Sequence, residues 1–280
     1  MNLRELDQFE NVVATGRAKM VTDIIWPNVC EYVVLILGGT SLTKAMLTQI
    51  IVKMGKKQVM EFTGTQLQSM NSYDVDGAPL THLFIPFYNS RARTLEQQYA
   101  GAPDFGALGL RELTIEVQIT GATAPTLTAK ASIVPQGILR AGAARLCRTI
   151  LRTQLNPAAA VTEQAQSAIS LGAHAGMLVR RIHFFSALVT QLRVKRNSSD
   201  IYEKVTLADN NAILTRTGHV PQANIFTLDA IEDDNELKWM TTLQGEGAQA
   251  AFVPMQILMN TSAGGAFDVL TDGYADPNLI

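Results

Sequence analysis

The clearest alternation of hydrophobic and polar positions runs over residues 112–120, with the sequence ELTIEVQIT. Successive side chains of a β-strand point to opposite faces of a sheet. The pattern therefore predicts a half-buried strand, with Glu116 on its polar face. A similar alternation over 127–133 predicts a second strand, which follows a turn at 121–125. The apolar face of the first strand is formed by Leu113, Ile115, Val117 and Ile119.

Further strands are predicted where apolar runs are bounded by glycine or proline. The run EYVVLIL at 31–37 lies between Pro27 and Gly38, so it predicts a buried strand. The run HLFIPFY at 82–88 contains Pro86, which cannot donate to a sheet ladder and therefore favours a sheet edge or a bulge. Other strands are predicted at 177–185, 224–231, 252–260 and 266–270.

Three segments have patterns that are harder to interpret. Residues 145–155 fit a helix and a strand equally well, and the Ala- and Gln-rich segment 156–170 predicts a loop with a helical turn. Near the start, apolar residues recur at helical spacing and predict a short amphipathic helix. Such a helix would either fold onto its own domain or contact a partner or a membrane surface. The residues concerned are Leu3, Leu6, Phe9 and Val13.

The segment 48–71 predicts a strand, a tight turn, a returning strand and a short helix. Gly55 permits the turn because glycine accepts a positive φ angle without steric cost. Thr63 and Thr65 precede the helical positions, where threonine hydroxyls can cap free backbone N–H groups. The segment is therefore predicted to be a module with the order strand, turn, strand and short helix.

The same order recurs over 190–213. Asn197-Ser198-Ser199 takes the place of the glycine turn, and Thr206 with Asp209 takes the place of the capping threonines. The Thr-Gln and Val-Lys pairs of the first module recur 142 positions later, and Gln118-Ile119 is matched with Gln256-Ile257 at an offset of 138. Recurrence near half the length of the chain indicates an internal duplication.

Many short strands separated by Gly and Pro turns, with few helices, predict an all-β fold. Together with the duplication, this predicts two tandem β-sandwiches of eight strands each, with short helical inserts. The predicted division is an N-terminal arm at 1–15, a first sandwich at 16–138 and a second at 139–280.

Composition narrows the function. The chain has 280 residues and a formal net charge of −2, which argues against a general nucleic-acid binder because such proteins need an excess of Lys and Arg. The first ten residues are too charged for a signal peptide. Cys30 and Cys147 lie in apolar or alternating contexts, which favours buried thiols over a disulfide.

Charge is unevenly distributed along the second half. Residues 140–196 carry nine basic side chains and only Glu163 as an acid, whereas 197–280 carry three basic and twelve acidic side chains. One interpretation is that the two segments fold together and pair their charges within one domain. The other is that they form complementary surfaces between subunits, which would set register and partner choice.

Catalytic signals are weak, and no catalytic or cofactor-binding residue is predicted. No Walker, GxSxG, HExxH, CxxC or GxGxxG motif is present, and the histidines are scattered. An acidic run could bind a structural Ca²⁺ through its oxygen ligands, although a solvated acidic loop also fits. The candidate ligands are Glu232, Asp233 and Asp234.

The duplicated halves resemble the double jelly-roll major capsid proteins of tailless icosahedral viruses that contain a membrane, in particular the corticovirus-type coat proteins of bacteriophages. The stretches that carry the resemblance are 50–70, 112–134, 146–155 and 178–185. The resemblance implies that 146–155 is a strand that opens the second jelly roll.

The resemblance also implies a function. It implies a homotrimer whose six jelly rolls form a pseudo-hexamer, tiling an icosahedral shell around an internal lipid membrane and a double-stranded DNA genome. Implied partners are other copies of the chain, a penton or vertex protein, inner membrane proteins and the lipid itself, without direct sequence-specific nucleic-acid binding. The protein would be made in the host cytoplasm and reside in the virion.

Two other classes of function remain open from the sequence. A β-sandwich binding or adhesion module of a phage or bacterial surface structure would need a cleft lined by aromatic residues, which the aromatic content of 6% does not favour. A carbohydrate-active or cupin-like enzyme would need paired carboxylates or a histidine cluster converging on one sheet.

Overall fold

The computed structural model describes residues 2–74, 81–135, 146–166, 169, 177–235, 238, 240–241, 243–244, 251–252 and 255–276. The chain divides into two compact units. The first comprises residues 1–150 with 276–280, and the second comprises residues 151–275. Strands dominate both units, as the sequence predicts.

Within its described residues, the first unit has eight complete strands, arranged in two runs of hydrogen-bonded neighbours. One run has the order β1-β8-β3-β6, and the other has the order β2-β7-β4-β5. The strands are β1 (Asn2–Glu5), β2 (Gly16–Thr22), β3 (Val29–Gly39), β4 (Leu47–Met54), β5 (Lys57–Phe62), β6 (His82–Pro86), β7 (Leu113–Ile119) and β8 (Pro125–Val134).

The second unit repeats this order. Its runs of neighbours are β9-β19-β11-β14 and β10-β18-β12-β13, so each of these eight strands has a counterpart in the first unit, whereas the short strands β15, β16 and β17 lie outside the two runs. The strands are β9 (Cys147–Leu155), which begins in the first unit, β10 (Val161–Ala165), β11 (Leu178–Phe184), β12 (Val189–Arg196), β13 (Ser199–Thr206), β14 (Phe226–Asp229), β15 (Met240–Thr241), β16 (Leu243–Gln244), β17 (Ala251–Phe252), β18 (Met255–Thr261) and β19 (Phe267–Ala275).

Helices are short and sit between strands. The helix α1 (Gly64–Asp74) follows β5, and α3 (Leu207–Arg216) follows β13, so the predicted turn-and-helix module is confirmed in both units. The helix α2 (Leu95–Gln98) lies in the segment between β6 and β7, with Thr94 Oγ1 accepting a hydrogen bond from Gln97 N at 3.3 Å.

Threonines 142 positions apart show that the two modules are equivalent. Thr48 is the second residue of β4 and donates to Gln118 O of β7 at 3.4 Å. Thr190 is the second residue of β12 and donates to Asn260 O of β18 at 3.3 Å. Gln118 therefore corresponds to Asn260, and the predicted match with Gln256 is wrong by four positions.

The core of each unit is formed by the alternating apolar positions. In β7 the four predicted apolar residues are completely buried. The strand is not half-buried, however, because Thr114 and Glu116 on its polar face are also buried. β7 is central in its sheet, between β2 and β4, so long side chains from both neighbours cover that face. Cys30 and Cys147 are buried free thiols, as predicted.

Two local predictions are wrong. The first residues form the edge strand β1 rather than an amphipathic helix, and Leu6 and Phe9 are buried on their own unit. β1 pairs antiparallel with β8, and this ladder satisfies backbone groups that a short helix would leave exposed at both ends. Within 156–170, the predicted loop contains β10, which pairs with β18.

The remaining strand predictions are confirmed within a few residues at each end. β9 resolves the ambiguity at 145–155 in favour of a strand, as the resemblance implies. Pro86 ends β6, which is terminal in its run of strands, so the edge position predicted from that proline is correct. The final strand, β19, extends beyond its predicted end to residue 275.

Candidate assembly surfaces and polar sites

In the first unit, the helix that follows the hairpin is anchored near both of its ends. Thr63 Oγ1 accepts from Gln66 N at 3.2 Å, while Gln66 Oε1 accepts from Thr63 N at 2.8 Å, which together form a capping box. Farther along, the Asn71 side chain donates to Phe84 O and accepts from Phe84 N, both at 2.9 Å. Thr63 therefore caps the start of α1, as predicted. The hydrogen bonds of Asn71 hold the later part of the helix against β6.

The second unit uses the same device with different residues. Thr206 Oγ1 accepts from Asp209 N at 3.2 Å and caps α3, as predicted. Asn210 Nδ2 then donates to Thr227 O of β14 at 2.8 Å. Both helices are thus tied to equivalent strands by a buried or half-buried asparagine, a contact that the sequence comparison missed although the two asparagines lie 139 positions apart.

The polar face of β7 carries a network of ion pairs. Lys53 Nζ donates to Glu116 Oε1 at 2.6 Å, and Arg17 Nη1 donates to Glu116 Oε2 at 3.3 Å. The bond from Lys53 lowers the pKa of the Glu116 carboxyl, aided by the charges of Lys53, Arg17 and Lys19 and opposed by burial. The network lets a charged residue occupy a central strand, where an unpaired carboxylate would be costly.

The second unit contains two buried ion pairs. Arg181 Nε donates to Asp229 Oδ2 at 2.7 Å, and Arg180 Nη1 donates to Asp272 Oδ2 at 3.4 Å. Arg180 also lies 5.0 Å from the centre of the Tyr274 ring, in cation–π geometry. The sequence signal for these sites is two adjacent arginines within an otherwise apolar strand, since a buried charge needs a partner.

These pairs decide between the two interpretations of the charge distribution. Arg152 pairs with Asp268 at 2.9 Å, and Arg193 pairs with Asp200 at 2.7 Å, so four basic residues of 140–196 meet acidic residues of 197–276 inside one unit. The charges therefore pair within a domain. Complementary subunit surfaces built from these side chains are not supported. Arg140 and Arg145 lie outside the described residues.

The first unit has a buried polar cluster around Glu31 of β3, which the apolar pattern of that strand did not predict. Tyr99 Oη donates to Glu31 Oε1 at 2.5 Å, and Ser132 Oγ donates to Glu31 Oε2 at 2.6 Å. Burial, together with the bond to Glu31, raises the pKa of the Tyr99 hydroxyl. The cluster fixes the segment after α2 onto the β3–β8 pair.

The predicted cation ligands follow β14 directly. Asp233 Oδ2 accepts from Lys238 Nζ at 2.9 Å, and Asp234 Oδ1 lies 4.0 Å from His219 Nε2. Burial raises the pKa of the Glu232 carboxyl, and the charges of Asp229 and Asp233 add to the shift. Within the described ranges, no group of three ligating side chains converges. Binding of Ca²⁺ here stays a prediction.

Each histidine that the structure describes lies beside a different polar partner. His183 Nδ1 lies 3.0 Å from Thr227 Oγ1 on the neighbouring strand, and His82 Nδ1 lies 3.0 Å from Thr81 Oγ1. His219 Nε2 lies 3.8 Å from Asp229 Oδ2, while His174 is outside the described residues.

Among the helices that the structure describes, none has the length and apolar character needed to cross a bilayer.

Comparison with protein families gives two matches. The model described as the viral coat protein P2 N-terminal domain matches residues 3–134, and that of the viral coat protein P2 C-terminal domain matches residues 147–277. The two matched ranges begin near β1 and at β9, which are equivalent strands. A comparison with curated proteins gives no significant match.

Solved structures show the same fold at low sequence identity. The major capsid protein P2 of bacteriophage PM2 is 17% identical, with a TM-score of 0.80 over 98% of this chain and 97% of that chain. The major capsid protein of Sulfolobus turreted icosahedral virus is 11% identical, with a TM-score of 0.65 over 98% and 96%. The PBCV-1 virus capsid is also 11% identical, with a TM-score of 0.59 over 98% and 92%.

Proposed function

The chain belongs to the viral coat protein P2 family, and on that premise we propose that its assembly unit is a homotrimer that tiles an icosahedral shell. The protein is a structural major capsid protein of the virion with a double jelly-roll fold, and it is not an enzyme. It assembles with other copies of itself into a capsid lattice. Neither the adhesion module nor the carbohydrate-active enzyme has comparable support.

The main observation that supports a trimer is that the strands of the two units correspond one to one in their two runs. A chain with two similar units can place six of them around a threefold axis, which gives a pseudo-hexamer with closed symmetry. Permanent contacts of this kind bury more than about 2,000 Å² each. The net charge of −2 keeps the repulsion between packed copies small.

The finer partners are proposed from the resemblance to corticovirus-type coat proteins. The shell would enclose an internal lipid membrane and double-stranded DNA, with a penton or vertex protein at the fivefold positions and inner membrane proteins beneath. Direct sequence-specific contact with the genome is not part of the proposal, since the chain lacks the excess of basic residues that phosphate binding needs.

Light scattering on the purified protein tests the first step. A particle mass near three times 30.4 kDa is expected. A monomer at micromolar concentration would contradict the trimer. Electron microscopy of trimers concentrated with and without lipid vesicles would then test the shell and the membrane separately, because a shell that forms equally well in both samples does not need lipid.

A structural Ca²⁺ at Glu232, Asp233 and Asp234 is a separate proposal, supported by the adjacency of three carboxylates after β14. If Ca²⁺ binds, the melting temperature of the wild-type protein should be higher in CaCl₂ than in a chelator. The melting temperature of Asp234→Asn, which lacks one of the carboxylates, should be the same in both solutions. Equal melting temperatures of the wild-type protein in the two solutions would show that Ca²⁺ does not bind here.

A further inference from the structure

One edge of the first unit is covered by a neighbouring strand. Met60 of β5 pairs in parallel with Ile150 of β9, and both residues lie within the first unit. Val59 and Met60 are completely buried. The outer edge of β5 is therefore not open to solvent at this point.

The equivalent edge of the second unit is β13. Met60 pairs with Val52 across the first hairpin as Tyr202 pairs with Val194 across the second, and the two pairs lie 142 positions apart. Ile201 therefore corresponds to Val59. Yet β13 is terminal in its run of strands, and Ile201 is 45% exposed where Val59 is 0% exposed.

The strand that would cover this edge also has an equivalent. β9 lies beside β19 in the second unit as β1 lies beside β8 in the first, so β1 is the counterpart of β9. β1 is terminal in its run of strands and exposed along its whole length, with Leu3 49% exposed. β13 and β1 are thus both open at one edge, and their counterparts β5 and β9 pair with each other at Met60 and Ile150.

We propose that β13 of one copy pairs in parallel with β1 of a neighbouring copy, bringing Ile201 and Leu3 together at the contact. This deepens the proposed trimer and rests on it. Because the two edges are different surfaces, the contact is head-to-tail, and repeating it three times around an axis closes a ring in which every β13 edge and every β1 edge is covered. Strand addition of this kind satisfies backbone groups that an exposed edge presents to any other chain.

The charges on the two strands do not oppose such a contact. β1 carries Arg4 and Glu5, and β13 carries acidic residues together with Lys204, so each edge has both signs. Asp200 is held by Arg193, whose Nε and Nη2 donate to it at 2.7 and 2.8 Å. The backbone and the two exposed apolar side chains are thus the main groups available for pairing.

Cysteine cross-linking tests the contact directly. The full chain carrying Leu3→Cys and Ile201→Cys would be treated with a short bifunctional maleimide and separated under denaturing conditions. The native Cys30 and Cys147 are fully buried, and burial raises the pKa of both thiols, so they should not react in the folded protein. Covalent dimers and trimers are expected. Each single variant, and Leu3→Cys with Val21→Cys on the exposed face of β2, should stay at the mass of one chain.

A second measurement is independent of cross-linking chemistry. Ile201→Asp should weaken trimer association by about tenfold or more, as a charge placed in an apolar contact does, whereas Val21→Asp should not. Circular dichroism would confirm that both variants are folded. A wild-type monomer in light scattering would defeat the proposed trimer itself. A wild-type trimer that gives no intermolecular cross-link and tolerates Ile201→Asp would overturn this contact while leaving the trimer standing.

Discussion

Arg181 of β11 and Asp229 of β14 form an ion pair in which both side chains are essentially removed from solvent, with Nε and Oδ2 separated by 2.7 Å. Asp229 Oδ1 also accepts from Ile231 N at 2.9 Å, so its carboxylate fixes both a neighbouring strand and the start of the acidic segment. Burying two charges costs free energy that is recovered only when the geometry and the additional hydrogen bonds are good.

Asp229→Ala should therefore be strongly destabilising, by about 3–5 kcal/mol, because it leaves the buried Arg181 without this carboxylate. The free energy of unfolding in urea would measure the loss. Asp268→Ala is the matched control, since its partner Arg152 is 25% exposed, and it should cost about 1 kcal/mol or less. Equal losses in the two variants would contradict the role of burial. Arg181→Met combined with Asp229→Ala should be less destabilised than Asp229→Ala alone.

The predicted core positions of β7 can be tested by truncation. Val117 is completely buried, so Val117→Ala should cost about 1–3 kcal/mol through lost apolar burial and a residual cavity. Val21 on the adjacent strand β2 is 42% exposed, and Val21→Ala should change the free energy of unfolding by no more than about 0.5 kcal/mol. Denaturant titration of both variants makes the comparison, and a reversed ranking would show that the faces are assigned wrongly.

The period-2 pattern was sufficient for β7 and β8 because their apolar residues face one core throughout. It did not show that Glu116 is covered, since that depends on Arg17 and Lys53 from two other strands. The same limit applies at the start of the chain. Leu6 and Phe9 fit a helical spacing, yet pairing of β1 with β8 determines their conformation. Local periodicity thus identifies apolar positions better than it identifies the partner that covers them.

The polar sites were less predictable than the fold. The double arginine of β11 is visible in the sequence, but its partner Asp229 is 48 positions from Arg181, and only the pairing of β11 with β14 brings the two together. The capping residues Thr63 and Thr206 were predictable because a cap acts within three residues of itself. Short-range chemistry can be inferred from the sequence, whereas long-range ion pairs require the strand order.

Capping of α3 gives a prediction of its own. Thr206→Ala removes the acceptor for Asp209 N and should destabilise the protein by about 0.5–2 kcal/mol. Thr215→Ala, an exposed substitution inside the same helix, should be neutral or slightly stabilising because alanine has the higher helix propensity. Thermal unfolding followed by circular dichroism would separate the two. A larger loss at Thr215 would show that the cap does not limit the stability of α3.

The Glu116 network predicts a pH dependence in the acid range. Because Lys53 lowers the pKa of this carboxyl in the folded protein, its contribution to stability is fully present above the unfolded value of about 4.3 and is lost as pH falls through the folded pKa. Glu116→Gln should therefore be less stable than the wild type at pH 7, with the difference shrinking as the solution is acidified. Glu112→Gln, at an exposed position beside the same strand, is the control. A pH-independent difference would rule out the ionic origin.

Glu232 predicts the opposite sign. Burial, together with the charges of Asp229 and Asp233, raises the pKa of its carboxyl, so the folded protein holds this proton more tightly than the unfolded chain does. Stability is then lost as pH rises from the unfolded value of about 4.3 through the folded pKa. Glu232→Gln lacks the ionisable group and should be more stable than the wild type at pH 7, with no gain at pH values below the unfolded pKa. The urea midpoints of the wild type and of Glu232→Gln, measured in a chelator from below the unfolded pKa up to pH 7, would test this prediction. If the variant is less stable than the wild type at pH 7, the ionised carboxylate stabilises the fold and the prediction is wrong.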